Sequence, residues 1–165
     1  MRTKQVVPSR ELLLRVLNEG YEKKAWHGPN LRGAIRGLNA REAAWRPAPG
    51  RHNIWEILLH AAYWKYAVRR RLRGEKRGAF PHKGSNWFKR PLELSEKAWR
   101  EDIALLAQQH RRLCEAVARA TPAALRKIPR GTQWTGLQQV LGVAHHDIYH
   151  AGQIQLLKRL QKKPH

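Results

Sequence analysis

Apolar residues in this chain recur at intervals of three and four and hardly ever alternate, so the sequence is committed to helices and has almost no material for strands. A first helix is predicted from about Ser9, a candidate N-cap, through Leu12, Leu13, Val16, Leu17 and Tyr21, fading before Gly28-Pro29. A short helical piece, Leu31 to Leu38, follows. Two prolines and a glycine then make Trp45 to Gly50 a loop. A second long helix opens at Asn53, with Glu56 three residues on as in a capping box, and ends near Gly74. The third runs from Ser95 to about Ala120, where Thr121-Pro122 marks its end. After a polar, basic connection from Leu125 to Trp134, Thr135 and Gln138 form another capping box and start a last helix reaching about Leu160. Four long amphipathic helices in 165 residues predict a single all-α domain, 1–165, built as a four-helix bundle. The stretch from Gly74 to about Leu94 reads as a long basic connection that orders only partly.

Composition narrows the function classes. With 42% apolar residues the chain can bury a sizeable core, so neither a disulfide nor a structural metal is needed to fold it. One cysteine, Cys114, cannot pair internally; it fits a reducing cytoplasm and reads as a small buried hydrophobe. The first twenty residues offer no signal-peptide pattern, and no window is apolar enough for a membrane span, so a cytoplasmic protein with no membrane partner is expected. The net charge of +21 first suggests a nucleic-acid binder. Nearly half of it lies in residues 65–90, where ten basic side chains face Glu75 alone, with Phe80, Trp87 and Phe88 interleaved in a way that suits stacking on a base. Lys158, Arg159, Lys162 and Lys163 form a second cluster. No helix-turn-helix, zinc-finger or RNP pattern accompanies the charge, so nucleic acid is a possible partner and not the favoured one. A solvated basic surface accounts for the charge equally well, as does local steering of a carboxylate-bearing substrate.

Of the nine histidines, most read as loop or surface residues. His146 and His150 differ, because a spacing of four puts both on one helix face, and Val143, Ile154 and Leu157 fall with them in an arc of roughly 80°. His60 repeats the theme on the second long helix, one turn from Ile57 and from Trp64. If these two helices are neighbours, three imidazoles converge, which is the open pattern of a catalytic metal site. Satisfied core or surface histidines remain the alternative reading. Imidazole ligands alone do not name the metal.

The run Asn53-Ile-Trp-Glu-Ile-Leu-Leu-His60-Ala-Ala-Tyr-Trp64, taken with His146-Asp-Ile-Tyr-His150-Ala-Gly-Gln153-Ile, resembles the DinB/YfiT-like family. The resemblance extends to Trp45-Arg46-Pro47 and Trp26-His27-Gly28, covers about Leu12 to Leu160, and is weakest over Gly74 to Pro91. It implies a four-helix bundle with a crossover connection, a divalent metal (zinc or nickel) held by His60, His146 and His150, and frequently a homodimer. Characterised members of that family include thiol-dependent transferases and an isomerase that uses mycothiol.

Around these ligands, Gln153 sits 20° from His146 on the helix and could bond a ligand ring or a substrate, or make an interhelical amide contact. Glu56, one turn before His60, could reach the metal, act as general base or cap its helix; Asn53 makes capping the preferred role. Trp64 is expected in the pocket wall or the core. Asp147 could orient a ligand ring, with a solvent-facing position preferred. Two functions are therefore expected. One is a metal-dependent transferase or hydrolase acting on a small molecule, with a low-molecular-weight thiol as the candidate co-substrate. The other is a non-enzymatic basic binding protein whose metal site is structural or vestigial.

Overall fold

In a computed structural model, residues 7–76, 78 and 80–162 are described. Arg77, Lys163 and His165, which figure in the charge and histidine readings, lie outside them, as do residues 1–6. The described residues form seven helices and no strand: α1 (Arg10–Tyr21), α2 (Leu31–Ala34), α3 (Ala40–Ala44), α4 (Ile54–Leu72), α5 (Glu96–Ala118), α6 (Pro122–Arg126) and α7 (Gly136–Gln161). Each of the four long helices packs against two others, α1 and α4 both lying on α5 and on α7. The helices start where short polar side chains can satisfy free N–H groups. Ser9, Asn53, Ser95 and Thr135 all accept from the backbone N–H three residues on, and Glu56 and Gln138 close the boxes at α4 and α7.

Two expectations are corrected. The helical piece drawn from Leu31 to Leu38 stops at Ala34, and a separate helix, α3, follows Gly37, whose φ of 77° breaks the helical path. Asn39 caps α3 and forms a box with Glu42. The second correction concerns Thr121-Pro122, which ends α5 and also starts α6, because proline at the first helical position gives up no useful N–H.

The core has two apolar clusters. One gathers Leu31, Ile54, Trp55, Leu58, Leu59, Trp99, Leu106 and Ile154; the other gathers Leu13, Leu17, Val68, Leu113, Val117, Val140, Val143 and Ala144. A belt of polar groups links the helices across the core, with half-buried Asn18 on α1 and buried Lys65 on α4, His110 on α5 and Asp147 on α7. Gly20 lets α1 approach α7 closely, since a Cβ there would stand 2.8 Å from the Ala144 carbonyl oxygen.

Candidate metal centre

His60 comes from α4, and His146 and His150 from successive turns of α7, the helix beside it. The three rings converge. The Nε2 atom of His146 lies 3.2 Å from that of His60 and 3.0 Å from that of His150. His60 and His150 are buried and His146 is half-buried. Among the described residues they form the one group whose ligand atoms, all within 4.8 Å of one another, could hold a metal ion.

The other ring nitrogens show what those Nε2 atoms are. His60 Nδ1 donates to the Asn86 carbonyl at 2.7 Å, and His150 Nδ1 donates to Gln153 Oε1 at 2.7 Å. A neutral imidazole that donates from Nδ1 carries a lone pair on Nε2. Two lone pairs therefore face His146, whose own Nε2 can offer a proton to only one of them. A cation resolves the conflict. Tetrahedral ligation at about 2.0–2.1 Å separates ligand nitrogens by about 3.3 Å, close to the spacing found. Outer hydrogen bonds of this kind are also what fixes the orientation of metal-binding histidines. His146 Nδ1 is buried and has no partner among the described residues.

Burial also keeps the rings neutral, the form that ligates. It pushes His60 down to about 4, against the opposing bond to Asn86, and His146 down to about 3, with the neighbouring histidines adding to the effect. His150 is lowered by burial too, partly offset by Gln153.

The connection expected to be loosely ordered closes one side of the site. Trp87 stacks on His60 at 3.8 Å between ring centres and on His52 at 3.7 Å, and Phe88 is buried beside Tyr63 and Phe80. Trp87 is stacked between His52 and His60 and Phe88 is buried, so these two rings do not offer the free stacking face for a base that the sequence suggested. Residues 82–90 are held because His82 and Arg90 both bond Asp102, at 2.9 and 3.1 Å, and because Asn53 donates to the Arg90 carbonyl at 2.7 Å. Several of the basic residues are thereby committed within the protein: Arg90 serves Asp102, Arg69 pairs with Glu75, and Lys65 is fully buried against Asp147, while Arg73 meets Glu75 at the surface.

The remaining candidates fall out as follows. Gln153 bonds His150 and in turn donates to the Tyr149 hydroxyl at 2.9 Å. Of the three roles open to Glu56, its contacts show the cap: it accepts from both Arg46 Nη atoms, from His52, and from the Asn53 and Arg90 N–H groups. Burial alone would raise its pKa, but Arg46 and His52 outweigh this and hold the carboxyl below its usual range. Trp64 packs edge-on to His60 and lines a cleft. Asp147 is not solvent-facing. It is wholly buried, because Lys65 reaches across from α4 to meet it. Cys114 lies within 3.5 Å of His110, and burial pushes its thiol up to about 11, far from reactive.

Sequence reasoning missed three participants. Lys65 enters the sequence reading only as one of the ten basic side chains of 65–90, although it falls on the stripe Leu58, Ala61, Ala62, Val68. His110 was set aside, yet it is buried, stacks on Tyr21 and bonds Asn18 at 3.0 Å. The Asn86 carbonyl carries no side-chain signal at all.

A cleft of about 740 Å³ opens beside the triad, lined by Trp64, Val68, Arg71, Trp134 and Leu141, with His146 in its wall. No helix among the described residues is long and apolar enough to cross a membrane. A family model described as the DinB superfamily matches residues 25–154. No curated protein and no solved structure matches the chain.

Proposed function

The chain belongs to the DinB superfamily, and on that premise we propose that it is a metal-dependent enzyme whose divalent ion, zinc or nickel, is held by His60, His146 and His150. The observation that carries this reading is the set of three Nε2 atoms that face one another, with the outer nitrogens of His60 and His150 already engaged. A bound ion would supply Lewis acidity, lowering the pKa of a thiol or water brought to its open position. The chain's own residues do the rest. Asn86 and Gln153 fix two ligand rings in the tautomer that presents a lone pair inward. Trp87 keeps solvent from one face of His60. In the cleft, Trp64, Val68 and Leu141 offer an apolar wall for a small-molecule substrate, and the Arg71 guanidinium, 5.8 Å above the Trp64 ring, offers a cation for a carboxylate.

The reaction class supported best is transfer of a low-molecular-weight thiol to an electrophile, or hydrolysis, in the reducing cytoplasm where such thiols persist. The resemblance also implies a homodimer, and the exposed Tyr149, Leu156 and Leu160 on α7 suit such a contact. Binding of nucleic acid has less behind it, since Trp87 and Phe88 are committed to internal packing.

Elemental analysis of untagged protein tests the site. About one ion per chain is expected, and loss of occupancy in His60→Ala and His150→Ala. Less than about a tenth of an ion, or full occupancy in both variants, refutes it. A screen of small thiols against electrophilic acceptors then separates transferase from hydrolase.

A further inference from the structure

A second cavity, of about 250 Å³, lies on the α5 side of α4 and is walled by Tyr66, Arg69, Arg70, Lys76, Gln109 and Arg112. Glu75 is its one acidic lining residue, and both carboxylate oxygens of that side chain are engaged, Oε2 by Arg69 at 3.3 Å and Oε1 by Arg73 at 2.8 Å. Four lining residues carry buried polar atoms with no partner among the described residues: the Tyr66 hydroxyl, Nε of Arg69, Nε of Arg70 and Oε1 of Gln109. Such atoms normally find partners, and an orphaned donor destabilises a fold unless something fills the space. Here the orphans cluster, and they cluster where four cations crowd one small space. Like charges held together in this way call for a counter-charge.

We propose that this cavity is an anion site that takes the phosphate group of a small phosphorylated molecule. Two guanidinium N–H groups and a phenol O–H supply donors for a multi-oxygen anion, and arginine matches phosphate geometry better than lysine does. The Gln109 amide completes the set, accepting from a protonated phosphate oxygen through Oε1 or, after a half-turn, donating through its NH₂. The volume falls below the roughly 300–1,000 Å³ typical of pockets for drug-sized ligands, so the occupant is compact. A pocket of this size is also too short to be the extended basic groove that tracks a nucleic-acid strand. The site accounts for part of the basic charge that the metal centre leaves unused, and it does not depend on the reading of that centre.

The experiment is calorimetric titration of the full chain, in chloride buffer, with inorganic phosphate and with glycerol 3-phosphate. Saturable one-to-one binding is expected for at least one of the two. Tyr66→Phe should weaken it about tenfold, the loss of one hydrogen bond to a charged group, while leaving the melting temperature unchanged or higher, because the free protein leaves that hydroxyl unpaired. Arg70→Gln should weaken it at least as much. Lys23→Gln/Lys24→Gln, which removes two exposed charges elsewhere, should not change it, and neither should His150→Ala. The proposal is overturned if neither ligand saturates, if Tyr66→Phe binds as the parent does, or if the Lys23/Lys24 variant loses as much as Arg70→Gln. It is also overturned if a single-stranded oligonucleotide binds while both small phosphates fail, which would assign the charge to an open surface.

Discussion

Replacing Lys65 by Met removes the ammonium that meets Asp147 inside the core, where both side chains are fully buried. Breaking one partner of a buried pair costs about 3–5 kcal/mol, a large share of the roughly 5–15 kcal/mol that holds a domain together. The cost depends on pH in a direction the structure fixes. Burial pushes the Asp147 carboxyl up to about 6, against the downward pull of Lys65. Without Lys65 that pull disappears and the folded-state pKa rises further above the unfolded value of about 3.9. An acid whose folded pKa is raised favours folding while protonated, and the contribution is lost as pH rises through the folded pKa. Because the parent's own Asp147 ionises near 6, the Lys65→Met penalty relative to the parent should be smallest near pH 5 and grow by up to about 1.4 kcal/mol for each pH unit above about 6, roughly 1.4 kcal/mol by pH 7. Lys65→Met/Asp147→Ala carries no acid there, lacks this rise, and should cost no more than either single change, giving a coupling of about 3 kcal/mol or more. Urea unfolding of the metal-free proteins at pH 5, 6 and 7, each compared with the parent at the same pH, measures all of this. Additive single costs, or a Lys65→Met penalty flat across that range, would refute the internal pair.

Gly20→Ala gains about 1 kcal/mol of helix propensity but sets its Cβ against the Ala144 carbonyl, so a net loss of about 1–2 kcal/mol in urea unfolding is expected; a gain would show that α1 and α7 are not so close. Acid should destabilise the metal-free protein as pH falls below about 6.5, because His60, His110 and His146 are buried neutral, at about 4, 2 and 3, while the unfolded chain takes up protons. The slope is at most about 1.4 kcal/mol per unit for each ring, and a melting temperature constant from pH 7 to 5 would contradict it. Glu56→Gln should lower stability by about 1–3 kcal/mol through loss of charged hydrogen bonds to Arg46 and His52, with metal content intact. Turnover abolished at unchanged stability would instead make Glu56 the base.

The four long helices were legible because their starts and stripes are local: Asn53 with Glu56, and Thr135 with Gln138, announce caps within four residues. His146 and His150 were legible for the same reason, being one turn apart. His60 needed the packing of α4 on α7, which spacing does not supply and the family resemblance did. The closing of the site by residues 82–90 was hidden, since it rests on ion pairs from His82 and Arg90 to Asp102, on a different helix. The basic count misled because charge in a sequence has no address; Lys65 and Arg90 look like surface cations until Asp147 and Asp102 are seen opposite them.

The belt of Asn18, Lys65, His110 and Asp147 across the core also limits how the helices can slide. Apolar contacts alone tolerate an axial slip of one helical turn, about 5.4 Å, because leucine against leucine looks much the same one turn along. Here a slip of α7 against α4 would carry Asp147 from Lys65 to an apolar neighbour and strand both charges. The same slip would draw His146 and His150 past His60. The belt acts as a detent for the bundle, and the alignment it selects is the one in which the three imidazoles meet.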